Sequence, residues 1–183
     1  SGADVIVSSG YKWLRGTYGA AVGFLSPKAK SLIPGLVGFR SHKDIWDMRS
    51  DRMNLPEDAS RFEFTTLHFG ALHGLAASIE EMLETGIESI WKHDLSLADA
   101  VIELAQSRGL EVVSPIDHDQ RSAIVSIRPP AGHHSAHIVK RLQDEFGILV
   151  TDRSGMIRIS PHIDNERSQI ELLFSSLDTI LSK

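Results

Sequence analysis

Two hydrophobic periods alternate along this chain. Val5-Ile6-Val7 and Ala20-Ala21-Val22-Gly23-Phe24-Leu25 are short, dense apolar runs bounded by Ser, Gly and Pro, a pattern of strands rather than helices. They predict strands over 4–8 and 20–25, the second closed by Ser26-Pro27, with a glycine-studded turn between them. From Lys28 to Ser60 no period is sustained. Pro34, Gly35, Gly38 and Pro56 interrupt mixed charges there, predicting loop and short helix in a surface excursion. At Phe69 the spacing changes to three and four. Leu72, Leu75, Ala76, Ile79, Met82 and Leu83 share one helix face, and Gly86 supplies a stop. A second helix is predicted from Ile87 to Arg108, with Leu95, Ala98, Val101, Ile102 and Ala105 on one face. Gly109 is its C-cap, and a bend is expected near His93.

After Gly109 the element types alternate. Strands are predicted over 110–113, 123–127, 148–150 and 156–159, and helices over 135–146 and 166–181. Arg121-Ser122 and Arg153-Ser154-Gly155 read as turns, and Pro129-Pro130 ends a strand. Packing these helices on a small mixed sheet gives a compact α/β domain of about 75 residues. The expected organisation is therefore residues 1–68, two long connecting helices over 69–108, and a small α/β domain over 109–183. Because a fully apolar strand usually lies inside a sheet, its position at the very start predicts a chain that opens mid-domain.

Composition narrows the chemistry. The 183 residues are 42% apolar, enough for a sizeable core, and 19 basic against 24 acidic residues leave a net charge of −5 with no basic cluster. A nucleic-acid partner is not suggested. The absence of cysteine removes disulfides, thiolate metal sites and thiol nucleophiles from this chain. No apolar run approaches the roughly 20 residues of a membrane span, and no signal-peptide pattern opens the chain, so a cytoplasmic setting is the default expectation. His133, His134 and His137 cluster near a predicted helix start, but no carboxylate completes a known ligand spacing, and no metal is expected there.

Lys12 carries the most chemistry. It follows Val5-Ile6-Val7 within Ser9-Gly10-Tyr11-Lys12-Trp13 and precedes Gly16 and Gly19. At the end of a buried strand, desolvation favours the neutral amine that a Schiff-base lysine needs. Position alone favours the other reading, a lysine that leaves its strand for solvent.

Three separated segments resemble one family, the fold-type I pyridoxal-phosphate enzymes of the class V aminotransferase group. That group includes cysteine desulfurases, selenocysteine lyases, kynureninases and isopenicillin N epimerase-like proteins. The stretch from Ala3 through Lys12, with Gly16 and Gly19 before a strand, is similar to the family's cofactor-lysine region. Arg61-Phe62-Glu63-Phe64-Thr65-Thr66 resembles its Arg-Phe-Glu-x-Gly-Thr stretch. Ile157-Arg158-Ile159-Ser160-Pro161-His162-Ile163-Asp164-Asn165 resembles its C-terminal Arg-x-Ser-Pro-His-x-x-Asn segment. In order and spacing they cover nearly the whole chain. The resemblance implies the end of a large cofactor domain followed by a small α/β domain, the C-terminal half of such an enzyme.

The resemblance also implies roles. Lys12 forms the internal aldimine with pyridoxal 5'-phosphate and moves the proton at the substrate α-carbon. Ser9 and Tyr11 offer hydroxyls to the cofactor phosphate; many relatives carry histidine in place of Tyr11, and kynureninase-like members carry tyrosine. Thr66 reaches a neighbouring subunit's phosphate across a two-fold interface, implying a homodimer, while Thr65 replaces the usual glycine. Thr65 and Thr66 can alternatively be plain helix N-caps. Arg158 clamps the α-carboxylate of an amino-acid substrate, with Arg153 a weaker second candidate. Desulfurases carry a Gly-His-His-Cys motif after the strand that corresponds to 148–150. Here Gly132-His133-His134-Ser135 lies before that strand, and the match is a coincidence. The expected activity is that of an aminotransferase. An epimerase, a lyase or a kynureninase-type hydrolase shares the same start, and an inactive self-association module is the rival from outside catalysis.

Overall fold

The computed structural model describes residues 2–182, which divide into two compact units, one running to Glu84 and the other starting at Thr85. In the first unit, β1 (Val5–Ser9) pairs antiparallel with β2 (Ala21–Leu25), with Val5 opposite Leu25 and Ser9 opposite Ala21. The burial expected of β1 is not found. Val5, Ile6, Val7 and Phe24 are all exposed, because β1 has β2 as its ladder partner in a two-stranded ribbon. The excursion contains short 3-10 helices at Pro27–Ser31, Phe39–Ser41 and Ala59–Phe62. Helix α1 (Phe69–Thr85) buries Ala71, Leu75 and Met82, whereas Leu83, placed on its apolar face by spacing, is exposed. Ala20, Ala71 and Leu75 form this unit's small core, flanked by Leu14, Leu72 and Ile79.

The second unit holds the larger core. Helix α2 (Ile87–Ser107) is continuous through His93 and packs in this core rather than standing apart as a connector. Strands β3 (Val125–Ile127), β4 (Thr151–Arg153) and β5 (Met156–Ile159) form a sheet in the order β3-β5-β4, with both pairings antiparallel. The α/β class holds, but the sheet is antiparallel instead of mixed. Val125, Ile127, Ile157 and Ile159 point into the core, where they meet Ala98, Val101 and Ala105 of α2. Ile138 and Leu142 of α3 (Ser135–Phe146) and Phe174 and Leu177 of α4 (Arg167–Leu181) complete it. Truncating one such side chain to alanine typically costs about 2–5 kcal/mol.

Of two predicted strands that follow helix caps, the one over 110–113 is shortened in place and the one over 148–150 is displaced. Gly109 (φ 67°) and Gly147 (φ 68°) end α2 and α3 in the left-handed conformation. The next residue's N–H then bonds back into the helix, Leu110 to the Ala105 carbonyl and Ile148 to the Leu142 carbonyl, each at 3.0 Å. This capping arrangement takes the first N–H that a strand would use. Residues 110–113 keep one bridge, Val112 to Ile127, flanked by the Val113 N–H to the Ser126 carbonyl and the Arg128 N–H to the Glu111 carbonyl, both at 2.9 Å, and the strand expected over 148–150 begins at Thr151. Leu149 is 78% exposed.

A polar pair between buried Arg121 and exposed Asp99 ties α2 to the loop before β3. Arg121 is buried and hydrogen-bonds through Nη1 to Asp99, while its Nη2 lies 3.3 Å from His118 Nε2. The hydrogen bond from Arg121 holds the Asp99 carboxyl below its ordinary range against the opposing effect of burial, and the charges of Arg121 and His118 add to the shift. A carboxylate depressed in the folded state stabilises the fold above its unfolded value of about 4, and that contribution disappears as pH falls through the folded value. Thermal melts between pH 5 and pH 3 are expected to show a shallower loss of stability in Asp99→Asn than in wild type. Parallel acid limbs would assign no such role to the pair.

Candidate active site

In the first unit, the Lys12 turn is built by glycine and held by α1. Gly10 donates to the Ala20 carbonyl at 2.9 Å, and Gly16 donates to the Gly10 carbonyl at 2.8 Å, closing the loop on itself. A Cβ on Gly10 would sit 2.8 Å from Leu75 Cδ2, and one on Gly16 2.8 Å from Leu75 Cδ1. Only a bare backbone allows Leu75 this close. Ser78 Oγ adds a 2.7 Å hydrogen bond to the Leu14 carbonyl. Arg15, at φ 56°, donates its N–H to the Lys12 carbonyl at 2.9 Å. Such left-handed backbone at a non-glycine residue stores of order 1–3 kcal/mol and tends to mark functional turns.

Lys12 is exposed, so its site comes from this clamped turn rather than from a buried strand. Its Nζ lies 5.4 Å from the centroid of the Tyr11 ring, which stacks on Tyr18 at 4.5 Å with 26° between planes. Ser9 ends β1 and is exposed. Among the described residues, the hydroxyls of Ser9, Tyr11 and Thr66 make no hydrogen bond, which fits donors reserved for an anion.

Thr65 and Thr66 are exposed in the segment before α1, and neither caps the helix. His68 does so instead: its Nδ1 accepts the Ala71 N–H at 3.2 Å. That segment is stapled from behind. Ser41 Oγ donates to the Glu63 carbonyl at 3.1 Å, and Arg40 Nη2 donates to Glu63 Oε2 at 3.1 Å. Gly38 lies so close that a Cβ there would be 1.9 Å from the Phe64 carbonyl oxygen. Sequence reasoning passed over Gly38, Arg40, Ser41 and His68. The glycine before Phe39-Arg40-Ser41 was the visible signal, but its partner lies more than twenty residues away.

In the second unit, Arg158 lies on β5 opposite Thr151 on one side and Ser126 on the other. Alternation places Met156 and Arg158 on the face away from the core, as spacing predicted, with Ile157 and Ile159 buried. Arg158 Nε is buried and has no hydrogen-bond partner. A desolvated guanidinium N–H left unpaired is costly, and a planar carboxylate is the natural acceptor. Arg153 is exposed on β4. A cavity of about 330 Å³ nearby is lined by Phe146, Leu149, Val150, Ile159, Leu172 and Leu173, among others, and takes in neither arginine. Gly132 to His134 and His137 are exposed at the start of α3. Among the described residues, no group of three His, Cys, Asp or Glu side chains is placed to hold a metal ion, and no helix is long and apolar enough to cross a membrane.

Comparison with known proteins places this chain in a family. The family described as aminotransferase class-V matches residues 1–173, and the chain belongs to it. A probable cysteine desulfurase of Pyrococcus abyssi is 26% identical over 193 residues, covering 98% of this chain and 47% of that protein. A kynureninase of Deinococcus radiodurans is 31% identical over 156 residues, covering 81% and 37%. The apo structure of a cysteine desulfurase from Thermococcus onnurineus superposes with a TM-score of 0.86 at 23% identity, covering 98% of this chain and 47% of that one. The cystine C-S lyase C-DES, solved in complex with its reaction product cysteine persulfide, superposes at 0.85 with 19% identity, covering 96% and 46%. These two structures share the fold. The chain spans about half the length of the curated relatives it matches.

The contact between the Lys12 turn and α1 can be measured. Gly16→Ala is expected to destabilise the first unit by about 1–3 kcal/mol in urea unfolding, the usual cost of overpacking. Gly23→Ala on β2, where a Cβ has no heavy atom within 4 Å, is the control and should change stability by less than about 0.5 kcal/mol.

Proposed function

We propose that this chain is the lysine- and carboxylate-binding portion of a pyridoxal-phosphate-dependent enzyme acting on an amino acid. The observation that carries the reading is the Lys12 turn: an amine 5.4 Å from the centroid of the Tyr11 ring and three residues after Ser9, on a loop clamped by Leu75. Bound, the cofactor supplies an electron sink for a bond broken at the substrate α-carbon. Lys12 holds the cofactor through its amine and carries the α-proton. Ser9 and Tyr11 hold its phosphate through short hydroxyl donors. Thr66 supplies a further donor across a homodimer interface. Arg158 takes the substrate α-carboxylate bidentately, which fixes the angle of the bond to be broken. Transamination is the first reading of the reaction.

A second reading within the same family, a lyase or kynureninase-type hydrolase, is favoured by Tyr11 and by the identity to the Deinococcus kynureninase. Desulfuration through a protein thiol is not supported for this chain. It has no cysteine, and the two-residue turn Ser154-Gly155 joins β4 directly to β5. Both turn residues have positive φ, 51° and 78°, as the tight turn favoured in hairpins requires. No room for a long thiol-bearing loop is left between these strands.

Adding pyridoxal phosphate to the wild-type chain is expected to produce a visible absorbance band that borohydride removes, with the cofactor then fixed to the Lys12 peptide. Lys12→Ala should show neither. Equal bands in both proteins would remove Lys12 from the role, and no band in either would favour the inactive self-association module.

A further inference from the structure

The outward face of the small sheet carries two arginines side by side, and its carboxylates are engaged elsewhere. The register sets Thr151 opposite Arg158 and Arg153 opposite Met156, so all four lie on one face and Arg153 is the diagonal neighbour of Arg158. Diagonal neighbours are typically about 7–8 Å apart. Between Thr151 and Arg153, Asp152 points to the opposite face, where it accepts a 2.6 Å hydrogen bond from Ser135 Oγ. Glu111, on the segment that runs beside β3, is paired with Arg128 at 2.7 Å. Among the described residues, neither Arg153 nor Arg158 has an ion-pair partner. Two permanently charged guanidinium groups on neighbouring strands repel, and one of them has a buried unsatisfied N–H. An anion with two separated charges relieves both. Met156, half-buried on the same face, offers apolar contact to the methylenes between those charges.

We infer that Arg153 and Arg158 together read a substrate with two carboxylates, so that the enzyme acts on an amino dicarboxylic acid. This rests on the reading that Arg158 takes the α-carboxylate; Arg153 then takes the distal one and sets specificity. A single α-carboxylate satisfies Arg158 alone. The short hairpin suits this division, because the turn at Ser154-Gly155 holds β4 against β5 and keeps the spacing of the two cations fixed.

The test uses the whole chain titrated calorimetrically with glutarate and with pentanoate, at matched low ionic strength because exposed charges are screened by salt. Wild type is expected to bind glutarate at least tenfold more tightly than pentanoate. Arg153→Gln, on an exposed strand position, should bring the two within twofold while leaving the melting temperature unchanged. Arg158→Gln should weaken both ligands at least tenfold. The inference is overturned if wild type binds neither or shows no preference, if Arg153→Gln keeps the preference, or if inorganic phosphate outcompetes glutarate. The cofactor experiment on Lys12 reads a different signal. An Arg153-dependent preference without cofactor uptake would remove the proposed enzyme class and leave the dicarboxylate site. Uptake without the preference would do the reverse.

Discussion

The contact of Leu75 with the bare backbones of Gly10 and Gly16 is the constraint on which the first unit depends. Without it the Lys12 turn would have little to hold it, since β1 and β2 are exposed along most of their length. The ladder between them fixes only where the turn begins. The distance from Leu75 fixes its path, and Ser78 pins its far side at Leu14. A lysine on a flexible loop loses orientation each time the loop moves, whereas one held by a buried side chain is preorganised. The same helix is capped by His68 rather than by a threonine, which leaves the Thr66 hydroxyl uncommitted. One helix therefore bears on two of the proposed cofactor residues: its body shapes the lysine turn, and its cap leaves Thr66 for the proposed contact across a homodimer interface.

Arg158 is held by a different device. Its position follows from the burial of Ile157 and Ile159, because a strand with one buried face cannot slip by a single residue without exchanging its faces. A slip would place Arg158 in the apolar core with Phe174 and Leu142, at the large cost of burying an unpaired charge. Two flanking strands, β3 and β4, enforce the register from both sides. The arginine is thus specified by the hydrophobic pattern around it more than by any contact of its own, and its buried Nε remains without a partner.

Much of this was legible in the sequence, unevenly and for physical reasons. Helix α1 began where the spacing of Leu72, Leu75 and Ile79 placed it, and β5 matched its predicted bounds, since both patterns are local. The alternation that set Arg158 apart from Ile157 was readable from four residues. The strands expected after Gly109 and Gly147 start later than their apolar runs because a helix cap takes the first N–H of each, at Leu110 and Ile148. The apolar run of β1 implied burial, yet burial depends on what lies over the ribbon, which no local pattern states. The roles of Gly10, Gly16 and Gly38 were hidden as well. Each glycine is demanded by a residue far along the chain, Leu75 or Phe64, and a single sequence does not record such distances.

The hairpin between β4 and β5 bears most directly on reaction class. Relatives of this chain include proteins named as cysteine desulfurases and one named as a kynureninase, so family membership leaves several chemistries open. A protein thiol acting on substrate sulfur needs a cysteine and a segment long enough to carry it to the reacting atom. This chain has no cysteine, and Ser154-Gly155 is the shortest connection that an antiparallel pair accepts. The turn replaces a mobile nucleophile with a fixed pair of strands, and what those strands present is cationic. On the proposed reading, strands of that kind hold an anionic substrate still rather than attack it.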